Sequence, residues 1–298
     1  MQISRRRALQ AGSLATLAAA SSTVRAFEAP PDDSQLGKTP HTRFAVNVEM
    51  WWRNEPDFLQ RVRNAHALGF PAVEFWDYKP KRNRLTELAE LCEQLPMQIA
   101  QFTAWGFFPG MNDPKNKDKF VKAVEDGCAV ARQLRCDKMC VVAGQDVKGR
   151  SQQEMHAAVV DALKAAAPVA EANGVMLILE PMNIRVDHKG HCLYGSEPAV
   201  RICREVDSPM VKINWDFYHM HITEGDLCRR LKEGFDQVGY LQVADNPGRN
   251  EPGTGEIYYP RVLKEAWALG YRGFVGLECV PKDDELSAAR RVHACDWR

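Results

Sequence analysis

Four apolar runs in the second half of the chain end in an oxygen donor. The run VMLIL leads straight into Glu180, and Pro181 stops the segment. VKINW leads into Asp216, with His219 three residues later. GYLQVAD carries Gln242 and then Asp245, and GFVGLEC carries Glu278. A charge after a buried run is costly unless it finds a partner. Three carboxylates and one side-chain amide, all hard oxygen donors, suit a divalent ion such as Mg²⁺ or Mn²⁺. Histidine or cysteine in those places would favour zinc instead. Each residue alone has a plainer reading. Asp216 could cap a turn, Gln242 could satisfy a backbone group, and His219 could be an ordinary packed histidine.

Such a set can move a proton between adjacent carbons. Interconverting a hydroxy-ketone and a hydroxy-aldehyde passes through an enediolate, whose two oxygens a divalent ion can stabilise as a Lewis acid. One group removes the carbon-bound proton and another returns it, and the pair Glu180 and Glu278 can do this. Arg249 is a candidate to hold a substrate carboxylate or terminal oxygen by a charge-assisted bond. His219 is a candidate to polarise a substrate oxygen or donate a proton.

These residues need elements that bring them to one place. From residue 44 onward short β-type runs alternate with longer amphipathic runs. The expected strands lie at 44–50, 72–76, 98–105, 138–144, 175–181, 211–217, 239–245 and 273–280. Helical spacing of apolar residues follows each one, as with Phe58, Val62, Ala65 and Leu68. Gly69, Gly174 and Gly270 stand where helices should end. Alternating strands and helices imply a parallel sheet, and near-continuous apolar strands imply burial on both faces. Eight β–α units over about 255 residues have the usual size of a (β/α)8 TIM barrel. The α/β alternative, a doubly wound sheet, should carry a Gly-rich loop after its first strand, and VEMWWRNEP has none. Barrel active sites lie at the C-terminal ends of the strands, where the four oxygen donors fall. Asn47 and Glu74, near the ends of the first two strands, are further candidates to line the cup and bind substrate. Trp51, Trp52, Trp76, Trp105, Phe107 and Phe108 could wall a small ligand, cover the rim, or bury surface between subunits. His188 and His191, in the long loop after Glu180, could approach the site.

The first residues have another character. Three arginines at 5–7 precede an Ala/Leu-rich stretch and small residues near Ala26. Residues 1–26 read as a twin-arginine-type signal peptide for export, most directly to the periplasm. Residues 27–42, rich in proline and polar residues, read as a linker, with the barrel over 43–298. Removing the signal takes four arginines and no acid from a chain of zero formal net charge, leaving a slightly acidic body. That argues against nucleic-acid binding, which wants a basic face. No stable membrane span is expected, and the sequence leaves a homo-oligomer open. The nine scattered cysteines read mostly as small core residues and specify no disulfide.

From about residue 43 to its end the chain resembles the hydroxypyruvate isomerase branch of the xylose isomerase-like TIM barrels. The stretches that carry the resemblance are RFAVN, ALGFPAVEFW, LILEP, WDFYH and above all YLQVADNPGRNEPGTGEIYYP. The resemblance implies that Glu180, Asp216, Gln242 and Glu278 are the metal ligands. It implies that Glu180 and Glu278 also move protons, and that His219 and Arg249 contact substrate oxygens. Related sugar epimerases usually have histidine at the third ligand position, so Gln242 points to the isomerase side. The expected activity is isomerisation of hydroxypyruvate or a similar small hydroxy-carbonyl acid.

The loops after strands three and four depart from the family's usual ones, and such loops choose the substrate. An exported sugar epimerase or dehydratase with the same metal site is therefore the second reading. A non-catalytic sugar-binding barrel is a third, which the intact carboxylate set disfavours. A nuclease would need more histidine ligands and a basic rim.

Overall fold

The eight strands of the computed structural model close on themselves. The structure describes residues 32–297. The strands are β1 (Arg43–Asn47), β2 (Ala72–Asp77), β3 (Gln98–Trp105), β4 (Lys138–Val142), β5 (Met176–Glu180), β6 (Val211–Asp216), β7 (Val238–Val243) and β8 (Phe274–Leu277). They form a closed barrel in sequence order, all parallel, with β8 back on β1. The fold is a single (β/α)8 TIM barrel.

The outer layer is α1 (Phe58–Ala67), α2 (Leu85–Gln94), α3 (Lys117–Leu134), α4 (Gln152–Asn173), α5 (Ser196–Val206), α6 (Phe217–Thr223), α7 (Leu227–Gly234), α8 (Tyr259–Ala268) and α9 (Glu285–Ala294). α1 buries Leu59, Val62 and Ala65 at the spacing that puts them on one face. α4 starts with a reciprocal capping box between Ser151 and Glu154, a device worth about 1 kcal/mol. It ends at Gly174 in the left-handed conformation (φ 65°), which an L side chain would strain. Among the described residues, no helix is long and apolar enough to cross a membrane.

Several strands end earlier than expected, and three differences stand out. β1 stops at Asn47 rather than running to residue 50, because the Asn47 side chain accepts the Glu49 N–H and turns the chain. The WDFYH segment contains an extra short helix, α6, whose N-cap is Asp216 itself: Tyr218 N–H donates to Asp216 Oδ1 at 2.8 Å. The segment 27–42, read as a linker, lies partly outside the described residues. Its described part, from Asp32, packs on the barrel, with Leu36 buried and Gly37 N–H donating to Leu68 C=O. The expected signal, 1–26, lies wholly outside the described residues.

The barrel interior is graded along its axis. Ala45, Ala72 and Ala100 are small, and Ile178 and Tyr240 fill the space they leave. Toward the C-terminal end the interior turns polar, with Asn47, Glu74, Gln101, Asn214 and Gln242 all buried. Gly276 on β8 makes room there: a Cβ on it would lie 2.3 Å from Glu74 Oε2. Register then sets the rim, pairing Asp216 with Gln242 and Val142 with Glu180.

Candidate active site

Burial brings Glu180, Asp216, His219 and Glu278 together. One ligand atom from each lies within 4.8 Å of the others, and all four side chains are buried. β5 and β6 deliver Glu180 and Asp216 as their last residues, and Glu278 follows β8 by one residue. The first turn of α6 swings His219 back over the same point. Its Nε2 is 3.6 Å from Asp216 Oδ2 and 3.8 Å from Glu180 Oε1.

The charges are not balanced by the chain alone. Arg249 Nη2 lies 2.7 Å from Glu278 Oε2 and 3.9 Å from Asp216 Oδ2, one cation among three carboxylates. Burial pushes the Glu180 carboxyl well above the usual carboxylate range, and the Glu278 and Asp216 charges add to this. Burial lifts Asp216 to about 7, against the pull of Arg249. Burial, followed by the Arg249 charge, holds His219 well below the ordinary histidine range.

The donor set fits a divalent cation. Asp216 Oδ1 is used by the α6 cap, but Asp216 Oδ2 is buried with no hydrogen-bond partner. Orphaned buried polar atoms are rare and point to a missing ion or water. Oxygen donors dominate the cluster, as hard cations prefer.

Gln242 lies at the floor of this cluster. Its Oε1 accepts from Asn214 Nδ2 at 2.6 Å and keeps a second lone pair, while its Nε2 donates to Glu74 Oε1 at 2.9 Å. Asn47 and Glu74 do not line the cavity above; they lie beneath it. Glu74 accepts from Tyr240 Oη–H at 2.7 Å and from Asn47 Nδ2 at 3.1 Å. Burial lifts the Glu74 carboxyl to about 7, with a further push from Glu278.

The cavity over the cluster has a volume of about 330 Å³. Trp76, Phe107, Met182 and His188 wall it, and Arg249, Glu180 and Glu278 form its polar side. Trp76 Nε1–H donates to Glu278 Oε1 at 2.8 Å, so Glu278 is held at both oxygens. His188 stacks on Phe107 and meets His219 edge-on. His191 stands one shell back, where its Nε2 accepts from Gly144 N–H and ties the loops after β4 and β5 together. The early aromatics therefore divide: Trp76 and Phe107 face the cavity, whereas Trp51 packs on Phe70 and Trp105 on Phe120 in the core. A larger hollow, about 800 Å³, opens at the other end of the barrel. Its Arg135 and Lys138 are already paired with Glu93 and Asp137.

Arg249 reaches the site from a built loop. Both Asp245 oxygens are occupied, accepting from the N–H groups of Asn246, Gly253, Thr254 and Ile257. Arg249 itself adopts φ 53°, uncommon for a residue with a side chain. Its Nε is buried and has no partner.

Sequence reasoning missed three contributors. Cys140 on β4 donates its S–H to Glu180 Oε2 at 3.1 Å. Asp245 builds the loop that carries Arg249. Asn183, three residues after Glu180, holds the outer nitrogen of His219 at 2.7 Å.

The family model described as xylose isomerase-like TIM barrel matches residues 62–294. Hydroxypyruvate isomerase of Escherichia coli (strain K12) is 32% identical over 249 residues, 80% of this chain and 94% of that protein. The 2-oxo-tetronate isomerase of Cupriavidus necator is 32% identical over 246 residues, 80% of this chain and 93% of that one. Among solved structures, an AP endonuclease of family 2 from Brucella melitensis superposes with a TM-score of 0.77 at 26% identity, over 83% of this chain and 96% of that one.

Proposed function

Because the chain belongs to the xylose isomerase-like TIM barrel family, in its hydroxypyruvate isomerase branch, and is an isomerase, we propose that it interconverts a small 2-keto acid bearing a neighbouring hydroxyl with its hydroxy-aldehyde or hydroxy-ketone isomer. Hydroxypyruvate and tartronate semialdehyde are the simplest such pair. The observation that carries this reading is the buried Glu180–Asp216–His219–Glu278 cluster with its unpartnered Asp216 oxygen.

Glu180, Asp216, Gln242 and Glu278 would hold a divalent ion, with Mg²⁺ or Mn²⁺ matching their oxygen donors. When bound, such an ion supplies Lewis-acid stabilisation of the negative charge that develops on two adjacent substrate oxygens. The proton transfers belong to the chain. Glu278, held at both oxygens by Trp76 and Arg249, takes the proton from the hydroxyl-bearing carbon. Glu180, facing it across the cluster, returns a proton to the neighbouring carbon, while the hydroxyl proton passes to the former carbonyl oxygen. Microscopic reversibility exchanges the two roles in the other direction. The unpartnered Arg249 Nε–H takes the substrate carboxylate, which favours an acid over a neutral sugar. Trp76, Phe107 and Met182 exclude water from the enediolate. With the export signal read at 1–26, the substrate is met outside the cytoplasm.

The test is turnover of a panel of hydroxypyruvate, 2-oxo-tetronate and neutral ketoses with Mg²⁺ present, for wild type and Arg249→Met. The reading expects conversion of the acids and a KM for them raised at least about tenfold in the variant. Conversion of neutral ketoses alone, with KM unmoved by Arg249→Met, would overturn it.

A further inference from the structure

His219 presents a ring nitrogen to the acidic cluster, and whether that nitrogen carries a proton decides what it can do there. A bare Nε2 could ligate an ion, whereas an Nε2–H can only donate a hydrogen bond.

We propose that Asn183 is a positioning residue that locks His219 in the tautomer with its proton on Nε2, so that His219 donates to a substrate oxygen and does not ligate the ion. Asn183 is fully buried just beyond the end of β5. One of its terminal atoms lies 3.0 Å from the backbone nitrogen of Val186 and 3.2 Å from that of Asp187. Two backbone donors identify that atom as the oxygen. The other atom is therefore the NH₂ group. It lies 2.7 Å from Asp187 Oδ2 and 2.7 Å from His219 Nδ1, and so spends its two protons on two acceptors.

His219 Nδ1 must accept, and a neutral imidazole that accepts at Nδ1 carries its proton on Nε2. The alternatives fail on the same contacts. An ion on Nε2 would require a proton on Nδ1, setting two donors 2.7 Å apart. Turning the Asn183 amide over would point NH₂ at the two backbone N–H groups and at nothing that accepts. Either arrangement strands buried donors.

The Nε2–H is buried, has no partner, and faces the Asp216 and Glu180 oxygens from 3.6 and 3.8 Å. That leaves it free for an oxygen that gains negative charge during the reaction, the situation in which a fixed donor contributes most. The proposal rests on the isomerase reading only for what the N–H meets; the tautomer itself does not depend on any substrate.

The test is the nitrogen spectrum of the full chain labelled with ¹⁵N-histidine, with His219 assigned by its loss in His219→Gln. Long-range ¹H–¹⁵N correlations distinguish a protonated from a bare ring nitrogen. Wild type should show bare Nδ1 and protonated Nε2, both without metal and with saturating Mg²⁺. The paired exchange Asn183→Asp with Asp187→Asn keeps the net charge, the acceptor for the two backbone N–H groups and the side-chain hydrogen bond. It reverses the polarity offered to Nδ1 and moves the pair's one carboxylate beside it. His219 should then carry its proton on Nδ1, kcat should fall about 10²-fold with a much smaller change in KM, and Mg²⁺ affinity should not fall. A protonated Nδ1 in wild type, or an unchanged His219 pattern in the exchanged protein, would overturn the proposal. Should the exchanged protein not fold, the wild-type spectrum alone decides. Should no substrate on the panel be converted, the isomerase reading fails while the tautomer result still stands.

Discussion

Glu74→Gln changes one atom and removes one ionisable group from beneath the site. Glu74 is fully buried, and burial with the nearby Glu278 charge raises its carboxyl from 4.5 to about 7. An acid whose folded pKa is raised holds its proton more tightly in the folded chain. Its stabilising contribution is complete below pH 4.5 and is lost as the pH rises toward 7. A shift of that size corresponds to about 3 kcal/mol. Glutamine keeps the acceptor for Asn47 and Gln242, but its NH₂ meets the Tyr240 hydroxyl where an oxygen acceptor stood, which costs about 1 kcal/mol at every pH. The variant should therefore be slightly less stable than wild type at pH 4.5 and about 2 kcal/mol more stable at pH 7.5. The assay is urea unfolding of both proteins at several pH values with EDTA present, comparing the difference in unfolding free energy. Parallel profiles, differing by less than about 1 kcal/mol over that range, would refute the reasoning and mean that Glu74 ionises like an exposed carboxylate.

Other outcomes follow from the same geometry. Glu180→Gln and Glu278→Gln should each lower kcat by at least about 10³-fold while circular dichroism and oligomeric state stay unchanged; activity near wild type in either would remove the two-glutamate mechanism. EDTA should abolish turnover, and Mg²⁺ or Mn²⁺ at about 100 times its Kd should raise Tm by about 5 °C, since the bound ion adds about 2.7 kcal/mol to a domain of this size. That rise should vanish in Asp216→Asn. Burial lowers His191 from 6.5 to about 4, so its contribution is complete above pH 6.5 and is lost as the pH falls toward 4. His191→Gln should flatten that acid limb by up to about 3 kcal/mol relative to wild type, measured by urea unfolding between pH 4 and 7.

The fold was readable because each β–α unit carries its own periodicity, and counting eight units is enough to close a barrel. The rim position of Glu180, Asp216 and Glu278 follows from the same count, since each lies where an apolar run stops. What was not readable depends on contacts between distant segments. Asp216 serves as strand end and helix cap together, and a strand pattern that continues into Phe217 hides α6. Asn47 and Glu74 occupy the expected strand ends but sit below the cavity, because the missing side chain at Gly276 lets Glu74 lie across the barrel. Leu36 looked like part of a linker, and only its burial against the barrel shows otherwise. Asn183 stands beside Glu180 in the sequence. Its meaning lies in which way its amide faces, and backbone groups three and four residues later decide that.

The central claim is that Glu180 and Glu278 move a carbon-bound proton between neighbouring carbons. The most direct test is ¹H NMR of hydroxypyruvate turnover in D₂O with Mg²⁺ present. The account predicts that the isomer appears with deuterium on the carbon that receives the proton, because the second glutamate delivers one drawn from solvent. A product with no deuterium there, or no conversion by protein whose Tm rises with Mg²⁺, would contradict it.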